Sequence, residues 1–143
     1  MITFEKTVFI NRPQQEVFDF MSNLENGIQW RSLESSKRTS DDPIGVGSTW
    51  REASKFMGRE IELDIEFISY EPPYQFIAKA ISGPFPMEIT YEFESQDGGT
   101  LISLSAKAEV SGFFKMAEGL VGKQAEKLSE TELAALKKLM EAE

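Results

Sequence analysis

The chain has no cysteine and no histidine among its 143 residues. The first absence excludes disulfides, thiolate metal sites and a cysteine nucleophile, and it fits a reducing compartment. The second removes the commonest general base and the commonest transition-metal ligand. Positive charge is also scarce: 15 Lys and Arg against 24 Asp and Glu leave a net charge of −9. So negative a surface argues against binding a phosphate backbone or an anionic membrane, and neither nucleic acid nor membrane insertion is expected. No apolar run approaches the ~20 residues that span a bilayer, and a strand pattern follows Met1 directly. No glycine-rich phosphate loop or serine triad can be assembled. The expectation is a cytoplasmic protein of one domain, residues 1–143, with no metal and no other cofactor.

What is present is pattern. Ile2, Phe4, Val8 and Ile10 alternate with polar residues, which predicts a half-buried strand whose apolar face only Lys6 interrupts. Asn11 is a candidate cap for a short helix opening at Pro13, with Val17, Phe18, Phe20 and Met21 on its buried side. A second helical turn or two fits 22–30, closed by Trp30. Strands follow at 33–39 (an edge, guarded by Lys37 and Arg38), 48–56, 59–70, 74–81, 85–93 and 100–110. Tight turns such as Asp97-Gly98-Gly99 separate them, which predicts an antiparallel meander with one wet face. In 59–70 the alternation is clean: Ile61, Leu63, Ile65 and Phe67 inward, Glu60, Glu62, Asp64 and Glu66 outward. That acidic row reads as a solvated face rather than a metal site.

The last thirty residues organise the rest. Phe113, Ala117, Leu120, Leu128, Ala135 and Leu139 fall near one helical stripe, widened by Met116, Val121 and Leu136, with Ser111 placed as the N-cap. A helix over 113–140 would be about 40 Å long, and only such an element could cover the dry face of the sheet.

The ordered motifs resemble a known family. Ile10-Asn11-Arg12-Pro13 with Glu16-Val17-Phe18, Gly45-Val46-Gly47-Ser48-Thr49-Trp50-Arg51-Glu52, Tyr70-Glu71-Pro72-Pro73, Gly83-Pro84-Phe85-Pro86 and Asp97-Gly98-Gly99-Thr100 are similar to the START-like, birch-pollen-allergen-like superfamily (SRPBCC). Within it the polyketide cyclase/dehydrase branch looks closest. The resemblance implies an α+β helix-grip fold, with a curved antiparallel seven-stranded sheet wrapped around a long C-terminal helix and two short helices between strands 1 and 2. It also implies an apolar ligand held between sheet and helix.

Trp30, Trp50, Phe56, Phe67, Phe76, Phe85, Met87, Ile89, Phe113, Met116 and Leu120 are the candidate ligand-contacting residues. The alternative for each is plain hydrophobic core. Small residues (Ala53, Ala78, Ala80, Ala106, Ala108) lie among the large ones, which favours a cavity of roughly 300–1,000 Å³. Gly119 and Gly122 inside the helix suggest a bend or a close approach, and place the cavity under residues 113–121. Glu52 and Tyr91 are the candidate catalytic groups. If Trp50 and Phe56 point inward then so does Glu52, as a carboxylate in an apolar pocket; in the opposite phase Arg51 is the inward charge. Three functions follow: a container for a lipid, polyketide or isoprenoid-like molecule; a cyclase or dehydratase using carboxylate and phenol without metal or nucleotide cofactor; or a protein-interaction module of co-chaperone or toxin/antitoxin type.

Overall fold

The computed structural model describes residues 1–84 and 86–142, without the side chains of 112–114. Seven strands form one antiparallel sheet in the order β1-β7-β6-β5-β4-β3-β2. They are β1 (Ile2–Ile10), β2 (Ser35–Arg38), β3 (Thr49–Phe56), β4 (Arg59–Glu71), β5 (Gln75–Ser82), β6 (Met87–Gln96) and β7 (Gly99–Ala108). Between β1 and β2 lie helix α1 (Gln14–Ser22) and a 3-10 helix, Leu24–Gln29. After β7 a 3-10 helix, Gly112–Ala117, leads into helix α2 (Glu118–Glu141). The sheet curves around α2, and register shifts at Asp64/Ile65 and Phe67/Ser69 fall where β4 bends against β5.

Two expected caps are replaced. Pro13 occupies the N-cap position of α1, which has no side-chain cap, and the backbone N–H of Asn11 instead donates to Glu141 at 2.8 Å. Ser111 makes no capping bond either, and the α-helix begins at Glu118 rather than at residue 113.

The inward faces are those the alternation predicts. On β3, Trp50 and Glu52 are buried while Arg51 is exposed and pairs with Glu62 and Asp64. The acidic row on β4 therefore belongs to a solvated, salt-bridged face. Lys6, the interruption in β1, reaches two carboxylates of α2: its Nζ lies 2.6 Å from both Glu126 and Glu130. The other end of α2 is tied to β1 and the segment after it as well. Lys137 Nζ donates to the Phe9 carbonyl at 2.6 Å and Arg12 Nε to the Met140 carbonyl at 2.7 Å. These bonds hold the helix along β1, and the apolar residues Val121, Leu133 and Leu136 are buried beneath it.

The core divides into two regions. Under α1 it is solid and aromatic: Phe18 packs against Phe93, Tyr70 and Phe76 with ring centroids 5.1, 5.5 and 5.8 Å apart. Phe67 continues this cluster to Phe76 at 4.9 Å and to Trp50 at 4.6 Å. Under α2 the side chains are smaller. Ala106 pairs with both Phe4 and Ile89, and Ala108 with both Ile2 and Met87. Space is left there.

Candidate functional site

That space is a cavity of about 190 Å³ between the sheet and α2. Its floor is built by Phe4 of β1, Phe56 of β3, Leu63 of β4, Met87 and Ile89 of β6, and Leu104 and Ala106 of β7. Its roof is a single stripe of α2, Val121, Ala125, Leu128 and Glu132, at the i, i+4, i+7, i+11 spacing of one helix face. Glu52, Tyr91, Arg31 and Ser32 close one side.

The polar groups are built from the backbone outward. Register places Ser36 of β2 directly opposite Glu52 of β3. The 3-10 helix then turns the chain so that the N–H groups of Trp30 and Arg31 both donate to the Gly27 carbonyl, at 3.1 and 2.6 Å. A Cβ at position 27 would lie only 3.2 Å from Cδ and Nη1 of Arg31, so glycine there leaves room for the arginine to fold inward. Arg31 meets Glu52 in a two-pronged pair, Nη2–Oε1 2.7 Å and Nη1–Oε2 3.1 Å. Only 2% of the Glu52 side chain is exposed, and 18% of Arg31. Ser36 Oγ lies 2.9 Å from Glu52 Oε2 and 3.1 Å from the Leu24 carbonyl, and can donate to one of them at a time. Burial alone would lower the pKa of Arg31, but the charge and hydrogen bonds of Glu52, with Tyr91 and Glu132 adding to them, outweigh it, so the guanidinium stays charged.

Glu132 reaches the same region from the helix. Its Oε2 accepts the Ser32 N–H at 2.8 Å. Burial raises its pKa, opposed by the bonds from Ser32 and the charge of Arg31. Tyr91 packs on Phe76 with ring centroids 5.0 Å apart, at the boundary between the aromatic cluster and the cavity. Its hydroxyl makes no hydrogen bond among the described residues. Burial pushes its pKa up to about 12, Arg31 opposes this, and the charges of Glu132 and Glu52 add to it.

This has a measurable consequence. Since the folded pKa lies above the unfolded value of about 10, the unfolded chain binds fewer protons between those limits. Stability contributed by neutral Tyr91 is thus complete below pH ~10 and is lost as pH rises towards 12. Ultraviolet titration should show one of the three tyrosines ionising last, and Tyr91→Phe should remove that step. Retention of the late step in the variant would refute the assignment.

The candidates from sequence divide into groups. Glu52, Tyr91, Phe56, Met87 and Ile89 meet at the cavity. Trp30, Trp50, Phe67 and Phe76 are buried but do not border it; the last three form the aromatic cluster. Met116 and Leu120 are corrections, being 94% and 51% exposed. The α-helix starts only at Glu118, and Leu120 sits about 100° around the axis from Val121, which takes the inward position. Phe85 and the side chain of Phe113 lie outside the described residues. Gly119 has nothing within 4 Å of an added Cβ, and at Gly122 the nearest atom is Ile2 Cγ2 at 3.6 Å, so neither glycine serves a close approach. Among the described residues the part of the C-terminal helix that lines the cavity is 121–132, and at about 190 Å³ the cavity is smaller than the expected range.

Leu128 and Glu132 belong to the site and were not among the sequence candidates, whereas Arg31, beside Trp30, reads from sequence as either a cavity-mouth or a solvated surface residue and lies at the cavity. A signal for Glu132 was available: it is a carboxylate falling on the apolar stripe set by Val121, Ala125 and Leu128. The pairing of Arg31 with Glu52 had no such marker, because the two lie 21 residues apart.

A family model described as "Polyketide cyclase / dehydrase and lipid transport" matches residues 1–141. The chain belongs to this family. Solved structures agree on the fold of this polyketide cyclase/dehydrase family member. A protein of Thermus thermophilus is 20% identical with a TM-score of 0.83, covering 95% of this chain and 94% of its own. A START superfamily protein of Mycobacterium smegmatis is 19% identical with a TM-score of 0.77, covering 99% and 98%. The Zhui aromatase/cyclase of a Streptomyces species is 13% identical with a TM-score of 0.78, covering 97% and 93%. No curated protein sequence matches the chain. No helix of the described residues is long and apolar enough to cross a membrane.

Proposed function

We propose that this family member binds a small, mostly apolar molecule in the space between the sheet and α2. The observation that carries the reading is the division of the core. A continuous aromatic cluster fills one half at ring separations of 4.6–6.0 Å, while the other half retains about 190 Å³ lined mostly by apolar side chains. Interiors are ordinarily packed without voids of this size, and each void forfeits contact energy, so a retained cavity calls for an occupant. An apolar cavity of roughly 150 Å³ takes up benzene, which sets the scale here at one or two fused rings rather than a long acyl chain.

The family description and the fold shared with an aromatase/cyclase support a second reading, in which the bound molecule also reacts. Glu52 is poorly suited as its base, because both oxygens are engaged by Arg31 and Ser36. Glu132, with a pKa raised by burial, and the protonated phenol of Tyr91 are the better proton-transfer pair.

Calorimetric titration with naphthalene tests the container reading. Binding at micromolar to sub-millimolar affinity is expected, and Ala106→Phe, which fills the floor, should weaken it by roughly tenfold or more. No heat with the wild-type protein, or equal affinity in the folded variant, would remove the cavity from consideration as a ligand site.

A further inference from the structure

The polar end of the cavity carries information about the ligand that its apolar wall does not. Arg31, the one guanidinium there, has its paired face occupied by Glu52 in two hydrogen bonds and is not free to serve as an anion clamp. Glu132 adds a second carboxylate, whose Oε2 accepts the Ser32 N–H at 2.8 Å and which Ser32 also approaches with its hydroxyl. The inner end thus holds one cation and two carboxylates. Two of its groups retain capacity towards the cavity: the Glu132 carboxylate, which has lone pairs beyond those Ser32 uses, and the Tyr91 hydroxyl, 7% exposed as a residue, which has no partner among the described residues. Lys55 and Lys107 also border the cavity, but they are exposed and are held by Glu60 at 3.8 Å and Glu88 at 3.6 Å. Their attraction for an anion is screened by water.

The Tyr91 hydroxyl opens onto the cavity rather than being sealed within the protein, so a ligand that displaces water there loses free energy unless it supplies a hydrogen bond of its own. A ligand hydroxyl satisfies both open groups at once, donating to Glu132 and accepting from Tyr91. A ligand carboxylate can accept from Tyr91 but must then face Glu132, where like charges in a partly buried site repel. We infer that the cavity selects a one- or two-ring apolar molecule bearing a neutral hydroxyl, seated between Tyr91 and Glu132, and discriminates against the carboxylate of the same shape. The inference rests on the container reading and narrows it: a fatty-acid-like or other anionic ligand is the wrong chemistry for the inner end.

The test is a matched series at pH 7 with naphthalene, 2-naphthol, 2-naphthoate and 2-naphthylmethylammonium, measured by calorimetry on the full chain. 2-Naphthol should bind about tenfold more tightly than naphthalene, the worth of one or two hydrogen bonds, and 2-naphthoate at least tenfold more weakly than 2-naphthol. Tyr91→Phe should bring the naphthol-to-naphthalene ratio close to one. Glu132→Gln, which keeps an oxygen for the Ser32 N–H, should narrow the gap between naphthoate and naphthol. Binding of naphthalene together with naphthoate as tight as naphthol would overturn the selectivity while leaving the container intact. Tightest binding of the ammonium compound would overturn it in favour of a cation. If none of the four binds, the container reading itself fails and the selectivity with it.

Discussion

Arg31→Met should destabilise the protein by about 3–5 kcal/mol, because it strands a carboxylate inside the fold. Glu52 is 2% exposed, and without Arg31 its remaining side-chain partner is a single serine hydroxyl already shared with the Leu24 carbonyl. The Coulombic gain of the intact pair offsets the desolvation of both ions; removing the cation leaves the desolvation of the anion uncompensated. In urea the loss should appear as a fall in midpoint of about 2 M at unchanged slope. The double variant Arg31→Met/Glu52→Leu separates this cause from lost packing. It removes both charges and should recover most of the stability, since a buried pair is often replaceable by apolar side chains of similar size. If the double variant is as unstable as Arg31→Met alone, the pair is not what holds this corner together. The same ion pair fixes the link between the 3-10 helix and β3, and with it Ser32, whose N–H orients Glu132 over the cavity. Stability and site geometry are coupled at this contact.

The second large effect is expected at the opposite end of the core. Phe18→Ala should cost about 3–5 kcal/mol, the range for removing a fully buried aromatic side chain. Phe18 has no exposed surface and is the knob by which α1 engages Tyr70, Phe76 and Phe93, so deletion opens a void that three rings and a helix would have to collapse into. For a chain of this length the melting temperature should fall by roughly 10–15 °C. Phe56→Ala is the contrast. That ring is half-buried and already borders open space, so its truncation enlarges a cavity instead of creating one and should cost clearly less. Equal losses at the two positions would contradict the division of the core into a solid half and a hollow half.

That division was not legible in the linear pattern, although its ingredients were. Alternation identified the inward residues on β4 and β6, because side-chain direction in a strand has a period of two and depends only on neighbours in sequence. Whether an inward aromatic packs solidly or faces a cavity depends on what lies across the gap. Phe67 and Phe76 meet Phe18 and Tyr70 or one another, whereas Met87 and Ile89 are paired across strands with Ala108 and Ala106. The phase of β3, open between Glu52 and Arg51, is set by its pairing of Trp50 with Ile65, which puts Arg51 against the acidic outer face of β4. The exposure of Met116 and Leu120, both expected to face the cavity, has a local cause. The first residues of the expected helix form a 3-10 turn, so the apolar stripe read at 3.6 residues per turn does not extend through Met116.

By itself the sequence determined the order of the elements, the antiparallel meander, the inward face of most strands and the family, because these depend on short-range periodicity, turn chemistry and ordered motifs. It also excluded thiol and imidazole chemistry outright, by composition. Only the tertiary structure decided which inward residues surround space, that Arg31 neutralises Glu52, and that Glu132 and Tyr91 are the groups left open. Each of those depends on a contact between elements distant in the chain: Arg31 with Glu52, Ser32 with Glu132 across 100 residues, and Ala106 beneath α2. Local patterning encodes which way a side chain points, and long-range packing decides what it meets there.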